Sequence, residues 1–412
     1  MNAITQWRLK NGLTVLYRRD PSFPLTSATL LFDMGSRSEL PKEAGLCSIT
    51  VDLLMQGTRR RTARQLATVM ESVGASMGTQ VHEDYSELGF VVPATELDRA
   101  FGVMAEILKE PSFPKEEIIK EKAHVLAGLS SRKDAIFNVA YDALNSAMYG
   151  RHAYGRLVEG SAKTISQFRK SDFSQWHERA IRPERAILSW TGPMVASKAK
   201  QLTEKYLNSW RHPYGAHHSS YSSPAKVPHR NTDVTIRSTF EQAYLMVGYP
   251  APRATDPNHI PLKVLNTILG GGMSSRLFAG LREEQGLAYE VSSFYPTRLD
   301  VSQWVIYLGL PKEKLKTAAD QLDKLLQQLT RSGPTQNEVK QAKAMIRGAF
   351  LMDRQSHRRQ AWYAAWWQFL GRGLDYGDVF LKAVDAVTPK QLHRLTQEIL
   401  KQPRITVRVV PK

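Results

Sequence analysis

Gly270-Gly271-Gly272-Met273-Ser274-Ser275-Arg276-Leu277-Phe278, running on to Leu281-Arg282-Glu283-Glu284-Gln285-Gly286-Leu287-Ala288-Tyr289, is the stretch on which the reading of this chain turns. Glycines open a turn and a helix follows. Gly286 ends that helix, because a residue without a Cβ enters the left-handed region at a helix C-terminus without a steric penalty. A strand begins beyond it. Arg282 therefore falls in the last helical turn and Tyr289 at the strand's start, seven positions later. A guanidinium and a phenol held in this way can both reach one carbonyl of a substrate, the phenol as hydrogen-bond donor and the guanidinium as charge. The helix dipole alone would favour an arginine at that place, and a tyrosine opening a strand is often only packing. The flanking glycine and serine pattern favours the functional reading.

Outward from this stretch the chain divides into two halves built on one plan. The first half starts with two strands about the Asn11-Gly12 turn and a third at Leu25 to Phe32. A helical pattern over Glu43 to Gln56, ended by Gly57, and a second from Thr62 to Val73 come next. Strand signals return at Tyr85 to Val92, and helical patterns follow near 95–108, 115–132, 139–148 and 171–179. A strand at Ala186 to Trp190 and a helix at Ser197 to Trp210 close the half. Between His212 and Asn231 the periodicity fails: Pro213, Gly215, Pro224 and Pro228 among serines and histidines read as a linker. The second half restarts with strands at 234–238 and 243–249, a helix to Leu269, the glycine turn, strands at 289–294 and 304–308, long helices, and a closing strand at 405–410. The expected domains are 1–211 and 232–412, joined by 212–231. Runs of strands followed by runs of helices predict an α+β class, a mainly antiparallel sheet covered by helices in each domain, rather than a doubly wound parallel sheet.

The bulk numbers exclude several function classes. Of 412 residues, 42% are apolar and 23% charged, an ordinary globular composition, and no apolar run reaches the ~20 residues of a membrane span. The net charge of +17 raises the question of nucleic acid. Only Arg59-Arg60-Arg61 is a tight basic run, and no zinc finger or RNA-recognition signature is present. The expected partners therefore include no nucleic acid and no membrane; a basic surface suits an acidic partner or substrate. The single cysteine, Cys47, excludes an internal disulfide and a multi-cysteine metal site, and its apolar neighbours predict a small buried side chain. No apolar signal core precedes the first hairpin, so a cytoplasmic location is expected, or a periplasmic one if the N-terminus was trimmed.

Other polar and aromatic groupings offer less. His82-Glu83-Asp84 reads as a strand-to-turn surface feature. His212, His217 and His218 sit in the linker, a poor frame for a rigid tetrahedral site. Trp362, Trp366 and Phe369 fall at i, i+4 and i+7, with Tyr363 and Trp367 beside them, and read as a helix packed into a core or against a partner chain rather than lying on a membrane.

The frame Gly45-Leu46-Cys47-Ser48-Ile49-Thr50-Val51-Asp52-Leu53-Leu54-Met55-Gln56-Gly57-Thr58, together with the Gly270–Tyr289 stretch, resembles the M16 family of zinc peptidases, the pitrilysin, insulinase and mitochondrial processing peptidase group. The likeness runs over the whole chain and is to the small members. It implies two homologous α+β domains of the LuxS/MPP-like metallohydrolase fold, forming half of a clamshell. Active members carry an inverted motif, H-x-x-E-H, on the first helix. Histidines at i and i+4 share a helix face and can bind one zinc ion, and the glutamate beside them can act as general base on the bound water. Here the histidine positions fall on Ser48 and Asp52, and the glutamate position on Val51. The paired glutamates of a later helix align with Ala127 and Gly128. None of these is the family's ligand or base, whereas the family's Arg/Tyr pair is matched by Arg282 and Tyr289. The resemblance implies a chain that binds no zinc and works beside a homologous subunit with an intact H-x-x-E-H, which would hold the zinc, on a peptide substrate. The alternatives are an inactive scaffold or peptide-binding homologue, and a self-sufficient homodimeric hydrolase.

Overall fold

A computed structural model of the chain describes residues 4–211 and 223–412. Its strands are β1 (Ile4–Arg8), β2 (Thr14–Arg19), β3 (Leu25–Phe32), β4 (Ser76–Val81), β5 (Ser86–Pro93) and β6 (Ala186–Gly192), then β7 (Thr232–Ser238), β8 (Ala243–Ala251), β9 (Glu290–Phe294), β10 (Ser302–Leu310) and β11 (Ile405–Pro411). One sheet has the order β1-β2-β6-β3-β5-β4 and the other β7-β11-β8-β10-β9. Without β1 the two orders are the same. In each, the first strand of the set lies parallel to the last, β2 to β6 and β7 to β11. The remaining neighbours are antiparallel. The α+β expectation holds, and the internal duplication is expressed as one sheet topology used twice.

The chain forms two compact units, and neither is a contiguous stretch. The first comprises Met1–Leu129, Leu157–Ser222 and Asp353–Leu374; the second comprises Ser130–Arg156, Ser223–Met352 and Asp375–Lys412. The expected division at 211 and 232 follows the sequence repeat, but the units trade one helical segment each. Pro213, Gly215 and the histidines of the expected linker up to His218 lie outside the described residues.

The exchange follows from what the sheets must bury. Every residue of β8 is buried. A strand with one face in water would alternate instead, so both faces of this sheet are covered. Leu245, Val247 and Tyr249 join a core with Leu262, Leu265, Leu322 and Leu392, from helices of the second half of the sequence. Tyr244 and Met246, on the opposite face, meet Ala140, Leu144 and Met148 of the helix Ile136–Tyr149, which comes from the first half. Gly248 admits that helix: a Cβ there would lie 3.1 Å from Leu144 Cδ1. In the first unit, Ala28, Leu30 and Phe32 of β3 face the main core, and the helix His357–Phe369 packs on β3 and β6. His357 Nδ1 lies 2.9 Å from the Leu25 carbonyl oxygen. Trp366 and Trp367 are buried, and Trp366 lies 4.8 Å, ring to ring, from Tyr85. The aromatic run at 362–369 is thus a packed helix.

Most helices fall within a few residues of the sequence reading; Leu97–Lys109, expected near 95–108, is an example. Among the described strands and α-helices, two escaped it. Ser76–Val81 is an edge strand whose polar Ser-Met-Gly-Thr-Gln-Val run carries little apolar alternation, and Ala162–Gln167 is a short helix. The reading of His82-Glu83-Asp84 as a surface feature is corrected. Those residues turn the β4–β5 hairpin, but Asp84 is buried and pairs with Arg37 at 3.3 Å, and the His82 ring stacks on Tyr85 at 4.4 Å. Cys47 is fully buried, and burial pushes its thiol far above the ordinary range, which makes it unreactive.

Candidate functional site

The Arg282 and Tyr289 stretch belongs to the second unit. The helix His259–Gly270 ends against β9, where a Cβ on Gly270 would fall 2.3 Å from the Ser293 nitrogen; only glycine fits. Beyond the glycine turn the chain winds into a wide π-helical segment, Phe278–Glu283, rather than the plain helix expected. The Glu284 N–H donates to the Ala279 carbonyl, five residues back, at 2.9 Å. Such segments are rare and recur at functional sites. Gly286, at φ +59°, reverses the chain, and the Leu287 N–H closes the end on the Leu281 carbonyl at 2.8 Å. The segment is pinned at its start by Arg276, whose guanidinium donates to both oxygens of Glu338 at 2.6 and 2.9 Å and to the Gly333 carbonyl at 3.0 Å.

Arg282 is exposed in the last turn, as expected. Its guanidinium carbon lies 4.8 Å from the centroid of the Phe278 ring, one π turn earlier. Among the described residues the guanidinium has no hydrogen-bond or ion-pair partner. It is therefore stacked in place with its N–H groups free for a ligand.

Tyr289 immediately precedes β9. It is 42% exposed, and its N–H donates to the Gly309 carbonyl of β10 at 3.2 Å. Its ring lies over Gly309, where a Cβ would come 3.1 Å from Cε2 of both Tyr289 and Tyr244. Its hydroxyl donates to Gln242 Oε1, and the Tyr244 hydroxyl donates to Glu290 Oε2 at 3.2 Å. Burial, and then the charge of Glu290, raise the Tyr289 phenol above its ordinary value, so it stays protonated and a donor. This arrangement can bind a carbonyl oxygen and stabilise negative charge on it. Sequence reasoning gave no role to Gln242, Phe278 or Gly309; helical spacing sets Phe278 beside Arg282, and side-chain and sheet contacts bring the other two beside Tyr289.

The positions of the zinc motif lie in the first unit, on the helix Leu46–Leu53. Gly45 opens it at φ +92°, with no room for a Cβ, which would meet the Glu159 carbonyl oxygen at 2.4 Å. The Glu39 carboxylate caps it, accepting from the Gly45 and Cys47 N–H groups at 3.2 and 2.7 Å. Ser48 is buried and Val51 is fully enclosed in the core. Asp52 accepts from Thr79 Oγ1 of β4 at 2.8 Å. Burial raises the Asp52 carboxyl, with the Thr79 bond and His124 acting against it. Glu121 is likewise raised by burial and then by Asp52. Glu121 and His124 precede Ala127 and Gly128 on the helix Lys115–Ser131, and a Cβ on Gly128 would meet nothing within 4 Å. Among the described residues no group of three or more His, Cys, Asp or Glu could hold a metal ion. A hydroxyl, an isopropyl group and one carboxylate already bonded to a threonine do not fit a four-coordinate zinc site.

Comparison with known proteins bears on the family and the fold. Residues 14–162 match the family model described as Insulinase (Peptidase family M16), and residues 167–346 match the one described as Peptidase M16 inactive domain. The chain is 26% identical over 354 residues to the uncharacterized zinc protease YmxG of Bacillus subtilis, covering 86% of this chain and 85% of that protein. It is 28% identical over 346 residues to an uncharacterized zinc protease of Rickettsia felis, covering 84% and 82% of the two chains. Among solved structures, its fold is similar to a peptidase M16 inactive domain from Pseudomonas fluorescens, with a TM-score of 0.92 at 22% identity over 99% of this chain and 98% of that one. A protease from Helicobacter pylori superposes with a TM-score of 0.93 at 20% identity over the full length of both chains. With the two family models together spanning most of its length, the doubled sheet topology and the Gly270–Tyr289 motif all in agreement, the chain belongs to the M16 peptidase family.

Proposed function

We propose that this chain is the zinc-free subunit of a two-chain M16 peptidase. A homologous partner with an intact H-x-x-E-H holds the zinc ion, which supplies the activated water for peptide hydrolysis. This chain supplies Arg282 and Tyr289. The phenol donates to the scissile carbonyl as it gains negative charge, and the guanidinium holds a peptide carbonyl or carboxylate and adds positive potential. The observation that carries the reading is an asymmetry. Arg282 is stacked on Phe278 with its N–H groups unengaged, whereas Ser48, Val51 and Asp52 stand where the family's zinc ligands and base would be.

An extended peptide adding to an open sheet edge fits such a role. Edge strand β4 has no fully buried residue and includes Gly78, where even a Cβ would meet nothing within 4 Å.

The test is co-purification with metal analysis and a quenched-peptide assay. About one zinc per pair of chains, and none in the isolated chain, is expected. Tyr289→Phe in the reconstituted pair should lower turnover by about 10²-fold. Stoichiometric zinc and peptide cleavage in the isolated chain would overturn the reading, and unchanged turnover in Tyr289→Phe would leave the chain a scaffold.

A further inference from the structure

We infer that Gln242 is the positioning residue of Tyr289: it holds the phenol hydroxyl in the resting chain and yields it to the carbonyl of a bound peptide. The inference rests on the peptidase reading above. Tyr289 is exposed, and an exposed tyrosine reorients unless something holds both its ring and its tip. The ring rests on Gly309 of β10, which pairs with Tyr244 of β8. The tip is held by Gln242, which immediately precedes β8 and reaches the hydroxyl with Oε1. Gln242 has no other hydrogen-bond partner among the described residues. It is thus a dedicated acceptor.

The chemistry of that acceptor matters. Gln242 Oε1 is an amide carbonyl oxygen, the same kind of acceptor as the peptide carbonyl that would replace it. Exchanging one neutral amide oxygen for another gains almost nothing, so the phenol adds little to ground-state binding. As the scissile carbonyl becomes an oxyanion its bond to the phenol becomes charge-assisted and roughly twice as strong. The gain appears only in the transition state, where it accelerates the reaction. A carboxylate at position 242 would hold the phenol too tightly. An alkyl group would let it turn away. The next residue but one shows the contrast: Tyr244, close by, is committed to the carboxylate of Glu290.

The test uses the full chain twice. In the isolated protein, with tyrosines labelled at Cζ and the Tyr289 resonance assigned through Tyr289→Phe, Gln242→Leu and Gln242→Glu should move that resonance in opposite directions at pH 8. In the zinc-containing pair, each substitution should lower kcat by about 5- to 10-fold with KM within about 2-fold. Neither should cost anything further in a Tyr289→Phe background, since a residue acting through the phenol has nothing left to act on. An unmoved resonance, or the same loss with and without the phenol, overturns the inference. The peptidase reading fails differently: there Tyr289→Phe itself is silent in turnover while the resonance still responds to Gln242.

Discussion

Gly309 is a residue whose side chain is absent because Tyr289 and Tyr244 occupy its space. A Cβ would stand 3.1 Å from a ring carbon of each, so a neighbour must give by a few tenths of an ångström. Tyr289 is the exposed one, and Tyr244 is buried and bonded to Glu290, so Tyr289 is the ring that moves. Gly309→Ala should therefore lower turnover of the reconstituted pair by about 10-fold while costing under about 1–2 kcal/mol of stability. Parallel kinetics and chemical denaturation check this, and a full-activity variant would show that the ring's place is not set from below. At this scale the sequence was informative on position, since it put Arg282 in a last helical turn and Tyr289 at a strand's start. It was silent on Gln242, Phe278 and Gly309, which are 47, 4 and 20 positions from the groups they support (289 − 242, 282 − 278, 309 − 289).

Among elements, the junction of the glycine turn and the helix Gln336–Asp353 is a place where acid should act. Glu338 closes a capping box with Thr335, accepting from the Thr335 N–H at 2.7 Å while the Glu338 N–H donates to Thr335 Oγ1 at 3.3 Å, and it also receives the Arg276 fork. Burial alone would raise its carboxyl; the Arg276 and Thr335 bonds outweigh that and hold it at about 2. The folded value lies below the unfolded one, so the stabilisation is complete above pH 4.5 and is lost as pH falls from there toward 2. Glu338→Gln should flatten the acid limb of stability in that window. It should also cost about 1–2 kcal/mol at neutral pH, less than the full shift because the carboxylate is partly solvated. Urea melts from pH 7 to 2.5 measure both, and a variant with an unchanged acid limb would refute the assignment. Helix and strand identities were largely legible from periodicity. The π-helical winding at Phe278–Glu283 was not, since apolar spacing over six residues does not separate a π turn from an α turn.

For the whole molecule, the exchanged segments decide how the chain can be divided. Cutting it at 231 would leave β3 and β6 without the helix His357–Phe369, and β8 and β11 without Ile136–Tyr149. Each fragment would expose a sheet face built to be covered, so neither is expected to give sharp near-ultraviolet dichroism or elute as a compact monomer alone; co-expression should restore both properties. Two well-folded fragments would overturn this. No helix among the described residues is long and apolar enough to cross a membrane. The sequence by itself determined the α+β class, the duplicated plan, the family, the placement of Arg282 in a last helical turn and Tyr289 at a strand's start, and the absence of histidine from positions 48 and 52. These are written in local periodicity and fixed spacing. Only the tertiary structure decided which helix covers which sheet, that β4 is a strand, and that a glutamine holds the phenol. Those outcomes depend on burial and hydrogen bonds between residues far apart in the chain, where no local pattern records the partner.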